Sequence, residues 1–288
     1  MPRLPITKTP KVYVGGAFIR SESARVLPVH DAAGQLLGNV PRCTRKDLRN
    51  AVEAAAASGP GWAKRTAYNR GQILYRLAEM LESRASELAA SLAHHELSLA
   101  RTATQEVTAV IDRLVYYAGW TDKFAQVIGN TNPVSGPYFN FTLPEPMGVV
   151  GIIADETAPP LLGLLSQIVP VIVSGNTVVA FASEAAPLPA ILLGEMLAVS
   201  DLPGGVVNLL TGRRAELLPT FATHQGIRAV DAAGVSDAER QTLGLGAADS
   251  LKRLKTHAPG SVDWYAAQGV EEIADFVEFK TVWHPVGA

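Results

Sequence analysis

A single cysteine, Cys43, stands among 288 residues, so no disulfide can form within the chain. A reducing, cytoplasmic setting is the expectation. Charge is also scarce. Only 18% of residues are charged, and 25 basic against 27 acidic side chains leave a net charge of −2. That balance lacks the basic surplus that nucleic acid or an anionic membrane would select, so neither is expected as a partner. The stretch most like a membrane span, residues 158–173, is short, is interrupted by prolines and Gln167, and stops at Ser174-Gly-Asn176. A buried helix explains it better. The first 14 residues carry basic side chains with no apolar segment behind them, so no secretory signal is expected. Histidines 94, 95, 224 and 257 show no ligand spacing such as H-x-x-x-H, and no metal site is predicted.

What is present points to a well-packed globular chain, with 48% hydrophobic residues. Residues 11–20 and 25–41 read as short strands, with Asp31-Ala-Ala-Gly34 as a hairpin connection. Thr44 and Asp47 predict a capped helix start, and Ser58-Gly-Pro-Gly61 predicts its end. Apolar periodicity predicts helices over about 68–92 and 104–127; the aromatic residues of the second share one face and read as packing groups.

The pattern changes after Gly129. Tyr138–Leu143 alternates as a strand, Pro144-Glu-Pro146 reads as a turn, and Met147–Ala154 as a buried strand. Helices over 160–173, 188–200, 214–223 and 236–248 then alternate with strands over 177–181, 206–210 and 227–230. Such alternation predicts a parallel sheet covered on both faces, in a doubly wound, Rossmann-like α/β fold. Residues 276–283 close the chain as an edge strand with one wet and one packed face. The expected organisation is therefore N-terminal strands and long helices over 1–136, a strand over 137–146, the dinucleotide-binding type of core over 147–260, and a linker with a terminal strand over 261–288.

Several long segments, in order, resemble the NAD(P)-dependent aldehyde dehydrogenases. They are Tyr116-Tyr-Ala-Gly-Trp120, Gly136-Pro-Tyr-Phe-Asn-Phe141, Glu145-Pro-Met-Gly-Val-Val-Gly-Ile-Ile153 and Gly175-Asn-Thr-Val-Val179. The match continues through residues 202–212, Leu251-Lys-Arg253 and Phe279-Lys-Thr-Val-Trp283. The resemblance implies a cofactor domain, a catalytic domain and a small oligomerisation sheet. In that family a long catalytic domain separates the L-E-L-G-G motif from the terminal K-T-V-W strand. Here Leu254-Lys-Thr-His-Ala-Pro-Gly260 is followed almost at once by Phe276. The catalytic domain is read as absent.

The chemistry of the resemblance agrees. Aldehyde oxidation by this route needs a thiolate to attack the carbonyl. Cys43 precedes the first long helix and matches no family nucleophile, although Arg42, Arg45 and Lys46 beside it would favour a thiolate. Ala158 falls where the family's P-W-N-F-P asparagine would stabilise an oxyanion, and His257 falls on its glutamate base. The family's K-P-S-E strand end becomes Phe181-Ala-Ser-Glu184, which keeps Ser183 and Glu184 but loses the ribose-binding lysine. A lost charged hydrogen bond is worth roughly 1.5–3 kcal/mol. The F-T-G-S-T-x-x-G segment becomes residues 232–239, keeping Gly234 and Ser236 while Val235 replaces a serine and Asp237 and Glu239 add negative charge.

The resemblance therefore implies no resident cofactor, with at most weak NAD or NADP binding through Ser183, Glu184, Gly234 and Ser236. Ser183 and Glu184 also read as caps of the helix starting near Pro187, and Asp155 and Glu156 as solvent-facing loop charges. The expected role is a non-catalytic or scaffolding subunit that assembles with itself or with a full-length aldehyde dehydrogenase. The alternatives are a weak NAD(P)-binding sensor, or an oxidoreductase subunit that uses a partner's catalytic residues. The predicted interface comprises Tyr138, Phe139, Phe141, Phe276, Phe279, Val282 and Trp283, together with the helix over 104–127.

Overall fold

A computed structural model describes residues 8–95 and 101–287. Met1–Thr7, half of the stretch read as lacking a secretory signal, lies outside them. The chain opens with β1 (Val12–Val14), β2 (Ala17–Ile19), β3 (Val26–His30) and β4 (Leu36–Pro41). Helices α1 (Arg45–Ala63), α2 (Ala67–Ser83), α3 (Ala85–Ala93), α4 (Ala103–Ala118) and α5 (Phe124–Ile128) follow. Next come β5 (Asn130–Asn132), β6 (Tyr138–Pro146) and β7 (Val149–Ile153). The alternating part is α6 (Pro160–Val173), β8 (Thr177–Phe181), α7 (Leu188–Leu197), β9 (Val207–Leu210), α8 (Arg214–Thr223), β10 (Ala229–Ala232), α9 (Asp237–Ser250) and β11 (Arg253–Thr256). A short α10 (Glu271–Ala274) leads into β12 (Val277–Pro285).

The main sheet runs β11-β10-β7-β8-β9-β1-β2, parallel from β11 to β9 and antiparallel beyond. Strand alternation divides the core between its two faces. Val150, Ile152, Val178 and Ala180 meet α2, α4, α6 and α7, whereas Val149, Ile153, Val179 and Phe181 meet α1, α8 and α9. Every residue of α6 is buried, which accounts for its apolar sequence without a membrane. Among the described residues no helix is long and apolar enough to cross one.

Several boundaries differ from the sequence reading. The capping box of Thr44 and Asp47 starts α1 as expected, but the helix runs past Gly59-Pro60-Gly61 to Ala63. Trp62 holds that last turn, fully buried and donating Nε1–H to the Ile172 carbonyl at 2.9 Å. Tertiary packing there outweighs local propensity. The helix expected over 68–92 breaks at Arg84, whose backbone leaves the helical region and whose side chain pairs with Glu87 and Glu195. The helix expected over 104–127 stops at Ala118, and its apolar face is already packed on α2, α3 and α6. Val115 remains exposed beside Tyr68 and Tyr75 of α2.

Pro144-Glu-Pro146 is not a turn: β6 continues to Pro146, paired residue for residue with β12. Beyond Thr142 the other edge of β6 has no strand beside it, so the prolines forfeit no ladder bond on that side. In the resulting β12-β6-β5 sheet, β12 is an edge strand as expected. Past Val277, however, neither of its faces is packed. Phe276, expected at the interface, is 1% exposed and belongs to the main core, where its carbonyl accepts from Asn176 Nδ2 at 2.6 Å.

Candidate functional site

β7 lies between β8 and β10, so chain order reverses at the β7–β10 boundary. Open α/β sheets take ligands at the carboxyl ends of their strands beside such a reversal. Here Ala154 and Ala233 directly follow the two strands.

Arg214, the first residue of α8, occupies that opening. Its Nε donates to Glu239 Oε1 at 2.8 Å and its Nη1 to the Ala154 carbonyl at 2.9 Å. Its Nη2 reaches the carbonyls of Ala233 at 3.1 Å and Gly234 at 3.2 Å. The guanidinium thus bridges both strand ends, and its side chain is only 8% exposed. Burial opposes a charge on Glu239, but the Ser236 hydrogen bonds and Arg214 outweigh it and hold the carboxyl below its usual value.

At the end of β8, Phe181 is 1% exposed and packs in the core, facing away from any ligand. Ser183 Oγ donates to Glu156 Oε2 at 2.8 Å and accepts from Ala186 N at 3.2 Å. Glu156 also takes the N–H groups of Glu184 and Ala185, both at 3.0 Å. Glu184 ion-pairs with Arg213 and accepts from Arg214 N at 2.9 Å. It therefore caps α8, whereas the expectation placed it over the helix after Pro187. Asp155 and Glu156 are not loose surface charges either. Asp155 is 2% exposed and its Oδ1 accepts from the N–H and hydroxyl of Thr157.

The start of α9 is equally engaged. Gly234 has φ +62° and lies so close to the Asp155 carboxylate that a Cβ would fall 2.3 Å from Oδ1, so only glycine fits. Val235 is buried, with its N–H on the His257 carbonyl. Ser236 is the N-cap: its hydroxyl takes Glu239 N while the Glu239 carboxylate takes Ser236 N. A hydroxyl predicted to meet a cofactor is used by its own helix.

The positions read as lost chemistry are structural. Ala158 is buried against Gly163, where a Cβ on the glycine would lie 2.8 Å from its methyl. His257 Nε2 lies 3.7 Å from Asp231 Oδ1, and its ring stands edge-on to Trp264. Burial and Lys255 hold the imidazole below the ordinary histidine value. Asp231 is buried on β10 with Oδ1 unpaired, and burial, only partly offset by Lys255, raises its carboxyl to about 7. Cys43 is sealed inside with its thiol pushed up to about 12 by burial. The arginines beside it in sequence do not produce a thiolate. Among the described residues no group of three His, Cys, Asp or Glu side chains is placed to hold a metal ion.

The structure therefore gathers Ser183, Glu184, Gly234 and Ser236 around one crevice, but bonds their polar groups internally. Phe181 and Val235 lie in the neighbouring core, with Ala158 just before α6 and His257 just after β11. Sequence reasoning missed Arg214, Glu156 and Asp231. The visible signal for the first was an arginine pair directly after the strand end Leu210-Thr-Gly212, with an acid at the third position of the next helix.

Comparison with known proteins agrees with this architecture. Residues 18–275 match the Aldehyde dehydrogenase family. Retinal dehydrogenase 2 of Gallus gallus is 35% identical over 260 residues, covering 83% of this chain and 49% of its own length. Aldehyde dehydrogenase family 2 member B4, mitochondrial, of Arabidopsis thaliana is 30% identical, covering 96% and 52%. Among solved structures, the NAD+ complex of an aldehyde dehydrogenase from Bacillus cereus superposes with a TM-score of 0.78 at 27% identity, covering 86% of this chain and 50% of that one. The expectation of no resident cofactor draws no support from that neighbour. The chain spans about half the length of the relatives it matches. Only residues 257–276 separate β11 from β12, with no catalytic domain between them. The chain belongs to the aldehyde dehydrogenase family, in a form that lacks the catalytic domain and its cysteine.

Proposed function

We propose that this chain is a non-catalytic, scaffolding member of its family that assembles through the β12-β6-β5 sheet. The observation that carries the proposal is the β6–β12 ribbon, nine residue pairs long. Its register places Tyr138, Phe279 and Trp283 on one face and Phe139, Phe141, Leu143 and Val282 on the other. Tyr138, Phe139, Phe279 and Trp283 are 44–57% exposed. A narrow ribbon with two apolar faces gains little from water on both sides, and its free β12 edge is a template for another strand. Covering those faces with a second polypeptide would gain about 1 kcal/mol at each of these half-exposed residues. The partner is a full-length aldehyde dehydrogenase or another copy of this chain.

No residue of the site offers acyl-transfer chemistry. The one thiol is sealed away, Ala158 has no donor, and His257 has no nucleophile to activate. Native mass spectrometry after purification from its source cells tests assembly. A complex with a full-length family member, or a defined homo-oligomer, supports the reading and tells its two forms apart; a monomer alone refutes it. The second reading, a weak NAD(P)-binding sensor, is favoured by the likeness to a protein solved with NAD+. Saturable binding tighter than about 100 µM, or about −5.5 kcal/mol, would establish it.

A further inference from the structure

We infer that the strand-end crevice is self-occupied: the Arg214 guanidinium stands where a dinucleotide would lie, and it is the side chain that keeps one out. This rests on the reading of the chain as a non-catalytic family member. A dinucleotide does not fit the residues present, for three separate reasons. Arg214 has its Nε and both terminal nitrogens engaged, by Glu239 and by the carbonyls of Ala154, Ala233 and Gly234. They span the point of strand reversal, so the volume needed by a ligand is filled by an ordered cation.

The helix terminus that would greet a diphosphate is closed as well. Helix N-termini attract anions through free N–H groups and the positive end of the dipole. In α9, Ser236 and Glu239 cap each other, and Asp237 and Glu239 set carboxylates in the first turn. On the β8 side, the N–H groups of Glu184 and Ala185 both point at Glu156. A carboxylate of the chain thus sits on the remaining pair of backbone donors.

Loss of the strand-end lysine is by contrast a secondary change. Phe181 occupies that position from inside the core, with Gly212 close behind its ring. A cation restored there would meet a crevice still filled by Arg214. The order of importance is therefore the reverse of the one that residue substitution alone suggests. Removing the guanidinium should open volume and release three carbonyls, while leaving the sheet and its strand order intact.

The test is a titration with NADH followed by its own fluorescence, with ADP as a second probe. The parent should show no saturable binding up to about 1 mM, and Arg214→Ala should bind at least tenfold more tightly than that bound. Glu239→Gln, which removes the negative charge opposite Nε and one carboxylate from the first turn of α9, should give a smaller gain and serves if Arg214→Ala fails to fold by circular dichroism. Two results overturn the inference: saturable binding to the parent below about 1 mM, or folded variants that gain nothing. The first would favour the NAD(P)-binding sensor instead, whereas the second leaves the assembly measurement untouched. A monomeric chain in that measurement would leave the titration equally untouched.

Discussion

The strand-end crevice and the β6–β12 ribbon make opposite use of their surfaces. In the crevice, Arg214 pairs with Glu239 and Arg213 with Glu184, while Glu184 and Glu156 cap the neighbouring backbone. On the ribbon, Tyr138, Phe139, Phe279 and Trp283 stand exposed, and the outer edge of β12 has no strand beside it among the described residues. Asp155 Oδ2 and Asp231 Oδ1 are left without a hydrogen bond, but the groups already bonded have little to offer a ligand, because every new bond must replace an old one. A surface with unburied apolar area gains from any complementary partner. The polar groups of the crevice turn inward, while the apolar side chains of the ribbon face out.

The largest expected effect breaks the first half of that contrast. Arg214→Ala leaves the Glu239 carboxylate without its buried cation and three carbonyls without a donor. Breaking a buried ion pair by removing one partner costs about 3–5 kcal/mol, measurable as a fall in the urea midpoint at unchanged m-value. A loss under about 1 kcal/mol would mean that water substitutes freely, and the crevice would not be the closed network described.

Asp231 sharpens the same half through pH. It is faced by Lys255 of β11 and His257 just beyond it, by Gln167 of α6 and by Glu272 and Asp275 around α10. Its folded carboxyl, raised by burial to about 7, keeps a proton that the unfolded chain releases near pH 4. The stability it contributes is complete below about pH 4, declines as pH rises to about 7, and is flat above. Asp231→Asn should therefore be more stable than the parent by about 2–4 kcal/mol at pH 8 and no more stable near pH 4. His257, whose value is lowered, acts in the opposite sense, so the difference between variant and parent is the quantity to read. An equal gain at both pH values would refute the account.

The ribbon is tested by charge. Phe279→Asp with Trp283→Asp places two carboxylates on one exposed face without touching Val277 or Phe276. Surface changes of this kind alter stability by less than about 1 kcal/mol. Assembly should nonetheless be lost, seen as a fall in mass by light scattering. Retained assembly would move the interface elsewhere.

The fold was legible where the pattern was strong. The apolar run of α6, the β-branched strand Thr177–Phe181 and the capping box at Thr44 each announce their element, and the structure places all three where expected. Boundaries failed where long-range contacts decide them. Trp62 carries α1 through a Gly-Pro-Gly that ends helices elsewhere. β11, Arg-Leu-Lys-Thr, has no apolar alternation and is a strand because β10 offers it a parallel edge. In the crevice the sequence singled out Ala158, Phe181 and His257 as departures from the family pattern. The bonding there could not be read, because the contact between Arg214 and Glu239 joins residues 25 apart on two helices. No local spacing encodes that meeting.

Cys43 is the smallest test, and it concerns which polar-looking group is truly available. Three basic residues lie within three positions of it, and sequence proximity alone would make it a reactive thiol. The structure places it 0% exposed, its N–H on the Thr211 carbonyl at 3.0 Å, with burial as the dominant influence on its ionisation. A thiol raised to about 12 is almost wholly protonated at pH 8. Iodoacetamide should leave the folded chain unmodified and label a single site within minutes in urea, read as one mass increment. Cys43→Ala removes one sulfur from a packed site and should cost about 1 kcal/mol, with no change in assembly or in NADH titration. Rapid labelling of the folded chain would show that the wall between α1 and β9 opens, and would place Cys43 with the outward-facing half of the molecule.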